Sequence, residues 1–144
     1  MQHLTTFREL ITSTGKPYLT IYYNEQHNWV YNNWIGYVTP DNVKQGSLAV
    51  LDALETYHTP LGLNDNRELV GPWDQVVGWI ETEWIPRAEK AGLQFYALVV
   101  DAEAFAAASA AKMLNKVHNK FDMRIFNDIT AAEDWLQKCT LKVK

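Results

Sequence analysis

The chain has 144 residues, of which 47% are hydrophobic and 21% charged, as expected for one globular domain with one core. Its net charge of -4 at pH 7 disfavours nucleic acid as a partner, because binding to the phosphate backbone depends on Lys and Arg. No apolar run is long enough for a membrane span, and the start, MQHLTTFREL, lacks the basic and apolar regions of a secretory signal. We therefore expect a soluble, cytoplasmic protein with a single domain over residues 1–144.

The residues that usually ligate metals are scattered along this chain. Cys139 is the only cysteine, which excludes an intrachain disulfide and a cysteine-based zinc cluster. The histidines lie in four separate segments without metal-binding spacing, at His3, His27, His58 and His118. We expect neither a metal nor a cofactor.

The first third of the chain is strand-like. Three segments rich in β-branched and aromatic residues, FRELITS, YLTIYYN and NWVYNNWIGYVT, are separated by the turn signals at residues 15–17 and 24–26. Two hairpins, and hence an antiparallel start to a sheet, are predicted. Alternation along the third segment predicts that Trp29 lies on one face of the sheet and that Val30 and Trp34 lie on the other.

The periodicity changes to that of a helix after residue 39. Thr39 supplies a capping hydroxyl, Pro40 suits the first helical position, and Asp41 suits the helix dipole. Apolar residues then recur at helical spacing up to Tyr57, which predicts a helix over about 40–57.

The remaining chain alternates between strands and helices. The predicted elements are the short strand LGLND (61–65), a helix over about 73–91, the apolar strand LQFYALVV (93–100), a helix over about 102–118, the strand FDMRIF (121–126) and a last helix from Thr130. A capping box of Thr130 and Glu133 is predicted to begin that last helix. The strand 93–100 has no polar alternation, so both its faces should be covered. The class implied is α/β with a mixed sheet, flanked by about four helices.

Several motifs in this order resemble a known group of proteins. The segments are WIGYVTPDNV (34–43), LND followed by spaced tryptophans, GLQFYALVV (92–100) and FNDITAAEDWL (126–136). Together they resemble the small bacterial STAS-related proteins, the anti-sigma-factor-antagonist-like and CRAL-TRIO/SEC14-like group. The resemblance covers residues 28–138 and implies a four- or five-stranded sheet with parallel central strands between helices. The group includes regulatory protein-binding modules and carriers of apolar ligands.

One departure from that group bears on function. Its phospho-switch members carry a serine or threonine just after a strand, at the start of the next helix. Here the corresponding positions are Asn64, Asp65 and Asn66, none of which has a hydroxyl group. The resemblance therefore implies a module without the kinase-controlled switch, in which Asp65 would supply a constant negative charge.

The predicted helix over 73–91 contains three tryptophans. Trp73 and Trp84 fall on one apolar stripe at helical spacing and are expected to pack in the core, whereas Trp79 falls among polar residues. Trp79 is either a contact for a partner, the lid of a pocket, or a ring covered by other segments. Pro86 interrupts the pattern, and a kink there would move Trp84 out of the core.

Acidic and amide residues follow the predicted parallel strands, where α/β sheets usually bind ligands. They are Asn64 with Asp65, Asp101 with Glu103, and Asn127 with Asp128. Without a glycine-rich phosphate loop, a nucleotide is disfavoured. A divalent cation would suit such oxygen ligands, but helix capping is the stronger explanation of Asp and Asn at these positions.

Two functional hypotheses are favoured over an enzyme, which ranks third because no nucleophile is paired with a base. The first is a module that binds a protein partner, or a second copy of itself, through aromatic residues. The second is a carrier or sensor of a small apolar ligand, held between the 73–91 helix and the sheet. The candidate binding residues are Trp34, Asp65, Asn66, Trp79 and Trp84.

Overall fold

The computed structural model describes residues 3–144. Six strands form one sheet, in the order β1 (Leu4–Ile11), β2 (Pro17–Asn24), β3 (Trp29–Gly36), β4 (Leu61–Leu69), β5 (Phe95–Val99) and β6 (Asp122–Phe126). Strands β1, β2 and β3 pair antiparallel, and β3 to β6 pair parallel. The predicted mixed sheet is confirmed. The strand number implied by the resemblance is too low, because that resemblance begins at residue 28 and leaves out β1 and β2.

Helices connect the parallel strands. The α-helices are α1 (Pro40–Tyr57), α2 (Val77–Trp79), α3 (Ile85–Lys90), α4 (Phe105–Lys116) and α5 (Ile129–Cys139), with 3₁₀ turns at Asp74–Val76 and Thr140–Lys142 and a π-helical turn at Ile80–Trp84. None of the helices in the described residues is long and apolar enough to cross a membrane.

The helices form two layers, one on each face of the sheet. α1, α4 and the segment 73–90, here called the tryptophan segment, cover one face and form the larger core with Leu19, Ile21 and Val30. α5 covers the other face, where Leu136 packs with residues of β3, β4 and β5. Alternation along β3 produces this division, because Val30 and Trp34 lie in the larger core and Trp29 in the smaller. The predicted separation of these side chains to opposite faces is confirmed.

The starts of the first and last long helices differ in how well the sequence predicts them. Thr39 caps α1 as predicted: its Oγ1 accepts from the Asn42 N–H at 3.1 Å, and Asn42 completes the capping box. The prediction for α5 is wrong, because the helix begins one residue earlier, at Ile129. Asp128 is extended at that point, and its carboxylate accepts from the Ala131 N–H at 3.0 Å in place of the Thr130 hydroxyl.

The tryptophan segment is not the uninterrupted helix that the spacing predicts. A 3₁₀ turn begins it, and the Ile85 N–H bonds to the Ile80 carbonyl, five residues back, in the π-helical turn. This wide turn directly precedes Pro86, which has no N–H to give to a regular α-helix. Trp84 is only 3% exposed, so its predicted packing in the core is confirmed, and the kink that would move it out does not occur.

β4 is longer than the predicted strand LGLND. It runs to Leu69, so Asn64, Asp65 and Asn66 lie within a buried strand rather than at the entrance to a helix. Pairing with β3 and β5 holds both sides of this strand, with a register shift opposite Asn33 and Ile35. The expectation that these residues begin a helix is therefore wrong.

Candidate functional site

A cavity of about 40 Å³ lies between the sheet and the tryptophan segment. Its walls are uncharged side chains from both layers: Trp34, Val43, Ser47, Val50, Asn64, Asn66, Leu69, Trp73, Ile80, Trp84, Tyr96 and Met113. The space is enough for two or three water molecules or a small chemical group. It lies where the sequence places the pocket of an apolar-ligand carrier.

Alternation along β4 directs its two amides towards the cavity. Asn64 and Asn66 are two residues apart and share a face of the strand, and both are nearly fully buried. Neighbouring strands contribute Trp34 from β3 and Tyr96 from β5. The cavity therefore combines apolar walls with a polar line of side chains along the sheet.

Two glycines permit the rings beside the cavity to approach the backbone. A Cβ at Gly46 of α1 would lie 2.5 Å from the Trp34 ring, and one at Gly62 of β4 would lie 2.5 Å from the Tyr96 ring. Any larger residue at either position would displace the adjacent ring. Glycine is thus required here by close approach of side chains.

A chain of neutral hydrogen bonds joins the polar groups. The Asn64 Oδ1 atom accepts from Trp34 Nε1 at 2.9 Å and from Asn32 Nδ2 at 3.3 Å, and Asn64 Nδ2 donates to Asn66 Oδ1 at 3.3 Å. Asn32 Nδ2 also approaches the Tyr96 hydroxyl at 3.4 Å. Burial raises the pKa of Tyr96, so its hydroxyl stays protonated. The network carries no charge.

Two atoms in this region lack hydrogen-bond partners. Among residues 3–144, Asn32 Oδ1 and Trp73 Nε1 are buried side-chain atoms with no bond. Buried polar groups in native proteins are nearly always paired, and an unpaired one costs about 1–3 kcal/mol. Trp84 provides the contrast, since its Nε1 donates to the Ser47 carbonyl at 2.8 Å.

An outer cleft of about 370 Å³ adjoins the cavity. Its walls come from the loops after β3 and β4, from the first turn of α1 and from the 3₁₀ turn: Val38, Thr39, Pro40, Val43, Pro72, Trp73, Asp74, Gln75 and Val76. Val43 and Trp73 line both spaces. These two side chains therefore lie where the outer cleft and the cavity meet.

The opposite face of β4 carries a different arrangement, here called the Asp65 cluster (Tyr31, Asp65 and Arg67). Arg67 donates to the Asp65 carboxylate from Nε at 2.9 Å and from an Nη atom at 2.8 Å, and the Tyr31 hydroxyl donates at 2.7 Å. Burial acts to raise the pKa of Asp65, but these hydrogen bonds outweigh it and hold the pKa below its ordinary value. Because Arg67 neutralises the carboxylate, Asp65 does not present the free negative charge that would imitate a phosphorylated residue.

The five predicted binding residues do not form one site. Trp34, Asn66 and Trp84 meet at the cavity, whereas Asp65 belongs to the opposite face. Trp79 is half-buried and packs against the larger core, away from the cavity lining. Its role as a partner contact stays a prediction.

Three central members of the site are absent from the binding residues predicted from the sequence. Tyr96 belongs to an apolar strand without polar alternation, Trp73 is expected only to pack in the core, and Asn64 is expected at the entrance to a helix. The amides at positions 64 and 66 carried a usable signal, because two buried amides at a spacing of two on a strand require partners on the same face.

The polar residues that follow the parallel strands stay apart and serve local structure. Asp128 caps α5, and Asp101 accepts from the Glu103 N–H at 3.0 Å in the turn before α4. No group of three or more His, Cys, Asp or Glu side chains in residues 3–144 is arranged to hold a metal ion. Capping and turn formation account for these carboxylates.

Comparison with known proteins bears on the fold. No protein-family model matches the chain, and no curated protein matches it. Among solved structures, the chain is similar to an uncharacterised protein of the DUF3478 family with a SpoIIAA-like fold from Shewanella loihica PV-4. The TM-score is 0.53 at 17% identity, over 94% of this chain and 95% of that one. The fold of this protein is thus SpoIIAA-like, that is, STAS-like, as the sequence resemblance implied.

Proposed function

We propose that this protein is a non-enzymatic binding module for a small uncharged molecule, with the cavity and the adjoining outer cleft as its site. The observation that carries this proposal is the lining of the cavity, which contains a buried amide network and no charged side chain. Binding sites for small molecules commonly combine apolar walls with a few placed polar groups. The STAS-like fold is compatible with a binding role.

The dimensions restrict how a ligand would fit. A cavity of about 40 Å³ is far below the roughly 300–1,000 Å³ of typical ligand pockets, whereas the outer cleft is about 370 Å³. A ligand larger than a few atoms would therefore occupy both spaces. One end would contact the amides of β4, and the remainder would lie in the outer cleft.

The nucleophilic side chains support a binding role over catalysis. Cys139 is 2% exposed, and burial raises the pKa of its thiol, which disfavours the reactive thiolate. The Ser109 hydroxyl is fully buried, where it accepts from the Trp73 N–H at 2.9 Å and donates to Asp74. These contacts hold the tryptophan segment on α4.

The test is native mass spectrometry of protein purified without denaturation, followed by the same measurement on a variant with a smaller cavity. Val50→Leu adds one methylene to the lining, and Val77→Leu makes the same change in a buried residue outside it. We expect a small-molecule adduct on the wild type and on V77L, and its loss from V50L. An adduct retained equally by both variants, or no adduct together with no thermal shift from neutral aromatic probes, would contradict the proposal.

A second candidate function, binding of a protein partner, rests on three exposed apolar residues. Tyr37 is 78% exposed, Val70 47% and Phe105 77%, and they follow β3, β4 and β5 at the carboxyl ends of the parallel strands. Tyr37 lies beside Gly71, and the Val70 N–H donates to the Gly36 carbonyl. These residues surround the end of the sheet at which the outer cleft lies.

Light scattering and pull-down assays test this second candidate. The Tyr37→Ser, Phe105→Ser double variant should lose self-association or a captured partner while it keeps the wild-type thermal stability, because both side chains are mostly exposed. Trp79→Ala separately tests the partner contact that the sequence predicts at this tryptophan. Unchanged mass and unchanged capture in both variants would exclude these surfaces.

A further inference from the structure

Trp73 holds a special position between the two spaces of the proposed site. It lines both the cavity and the outer cleft, and only 8% of it is exposed. A molecule that extends from the outer cleft into the cavity contacts this indole and Val43, and Val43 lies on the first turns of α1. The indole is the larger of these two side chains.

The backbone of Trp73 is anchored by hydrogen bonds, whereas its indole side chain lines the two spaces. The Trp73 N–H donates to the Ser109 Oγ atom at 2.9 Å. Ser109 in turn donates to Asp74, which also accepts from Lys112. These contacts tie the start of the tryptophan segment to α4, so the indole can turn about its side-chain torsions without the loop opening.

The indole N–H has no partner in the closed arrangement. Trp73 Nε1 is buried and unbonded, unlike the Nε1 atoms of Trp34 and Trp84, which donate at 2.9 and 2.8 Å. A buried donor without an acceptor is destabilising, and turning the ring towards an acceptor removes that cost. The closed position of the ring is thus the less favourable one whenever a suitable acceptor is present.

We propose that Trp73 is a movable gate and that the ligand is an uncharged molecule whose hydrogen-bond acceptor, such as a carbonyl oxygen, binds the Trp73 Nε1–H group. This inference rests on the proposed function and names its ligand class. An anionic ligand is disfavoured, because no cationic side chain lines the cavity to compensate for its desolvation. A purely apolar ligand would leave the indole N–H unpaired.

Three probes of similar shape distinguish these classes: benzamide, which is neutral and has a carbonyl acceptor, benzoate, which is charged, and ethylbenzene, which has no acceptor. Binding is followed by NMR on the full chain through the indole N–H resonances. We expect benzamide to move the Trp73 indole N–H resonance downfield and to bind most tightly. Equal binding of the three probes, or benzamide binding that leaves this resonance in place, would overturn the inference.

Trp73→Phe keeps a ring but removes the donor. We expect it to weaken benzamide binding about tenfold, as for the loss of one buried hydrogen bond, and to leave ethylbenzene binding within about twofold. Trp135→Phe is the matched control, because Trp135 packs in the smaller core on the opposite face. If W73F does not fold, the NMR experiment on the wild type still tests whether the acceptor of benzamide binds the Trp73 indole N–H.

The failures of the two proposals are distinguishable. A native adduct that disappears in V50L would support the proposed function. If the three probes then bind equally, or if the Trp73 indole N–H resonance does not move, the gate and its ligand class are rejected. The absence of both the adduct and benzamide binding would reject both.

Discussion

The two faces of β4 treat buried polar groups in opposite ways. Asp65 and Arg67 point to the α5 side, where the carboxylate is bonded by two residues and its charge is neutralised. Asn64 and Asn66 point to the other side, where neutral amides border a cavity and a nearby indole N–H has no partner. One strand therefore carries both a fully bonded structural cluster and an incompletely bonded site. The incomplete face is the one on which to look for a ligand.

The largest effect on stability should come from disrupting the Asp65 cluster. Asp65→Ala removes the shared acceptor and leaves the Arg67 charge and the Tyr31 hydroxyl without it, so we expect a loss of about 2–3 kcal/mol in the free energy of unfolding. This is below the usual 3–5 kcal/mol for a buried pair, because Arg67 is 43% exposed. Urea denaturation measures it.

The control for that prediction is an exposed ion pair. Asp52→Ala breaks the Arg8–Asp52 contact, whose side chains are 44% and 56% exposed, and should cost below about 1 kcal/mol. Equal losses for the two variants would show that the Asp65 cluster is no more important than a surface pair.

The next largest effect should come from crowding the cavity face. Gly46→Ala places a methyl group against the Trp34 ring, and overpacking of this kind costs about 1–3 kcal/mol, partly offset by the better helix propensity of Ala. We expect a net loss of about 1–2 kcal/mol and a changed Trp34 indole N–H resonance, measured by thermal unfolding and NMR.

Gly78→Ala is the matched control in the tryptophan segment. A Cβ at Gly78 meets no atom within 4 Å, so this substitution should leave stability unchanged or raise it by up to about 1 kcal/mol. The same sign of change at both glycines would contradict the close packing of Trp34 on α1.

A smaller difference should separate two tryptophans of the cavity. Trp84→Phe loses a hydrogen bond to the Ser47 carbonyl, whereas Trp73→Phe removes a donor that has no partner. Both lose similar ring volume, so we expect W84F to be about 1 kcal/mol less stable than W73F in urea denaturation. The opposite order would mean that the Trp73 N–H is bonded in the free protein.

The smallest effect is the pH dependence of the stability that the Asp65 cluster contributes. The pKa of Asp65 is lowered in the folded state, so its contribution to stability is present above the ordinary pKa of Asp, about 3.9, and is lost as the pH falls through the native value. The stability difference between the wild type and Asp65→Asn should therefore narrow below about pH 4. A constant difference down to pH 2 would show that the carboxylate charge contributes nothing.

The sequence predicted the layers better than the site, for physical reasons. Period-2 alternation separated Trp29 from Trp34, and helical spacing placed Trp73 and Trp84 on one buried stripe, because burial acts locally on residue order. The meeting of Trp34, Asn64 and Tyr96 depends on pairing between strands that are distant in sequence, which local patterns do not contain.

The Asp65 cluster was within reach of the sequence but was missed. Asp65 and Arg67 share a face of any strand that contains both, and an Asp–Arg pair at that spacing predicts a salt bridge. The predicted strand ended at Asp65, so the pair was split between a strand and a supposed helix entrance. One error of length therefore produced the mistaken idea of a free negative charge.

The irregular turns of the tryptophan segment determine which of its side chains face the sheet. Its 3₁₀ turn winds more tightly than the 3.6 residues per turn of an α-helix, and its π-helical turn winds less tightly. The two deviations have opposite sign and compensate, so Trp73, Ile80, Trp84 and Ala88 still face the sheet. The two irregular turns therefore depend on each other. Deletion of a single residue within 80–84 would leave the 3₁₀ turn uncompensated and would rotate the side chains that follow it away from the core.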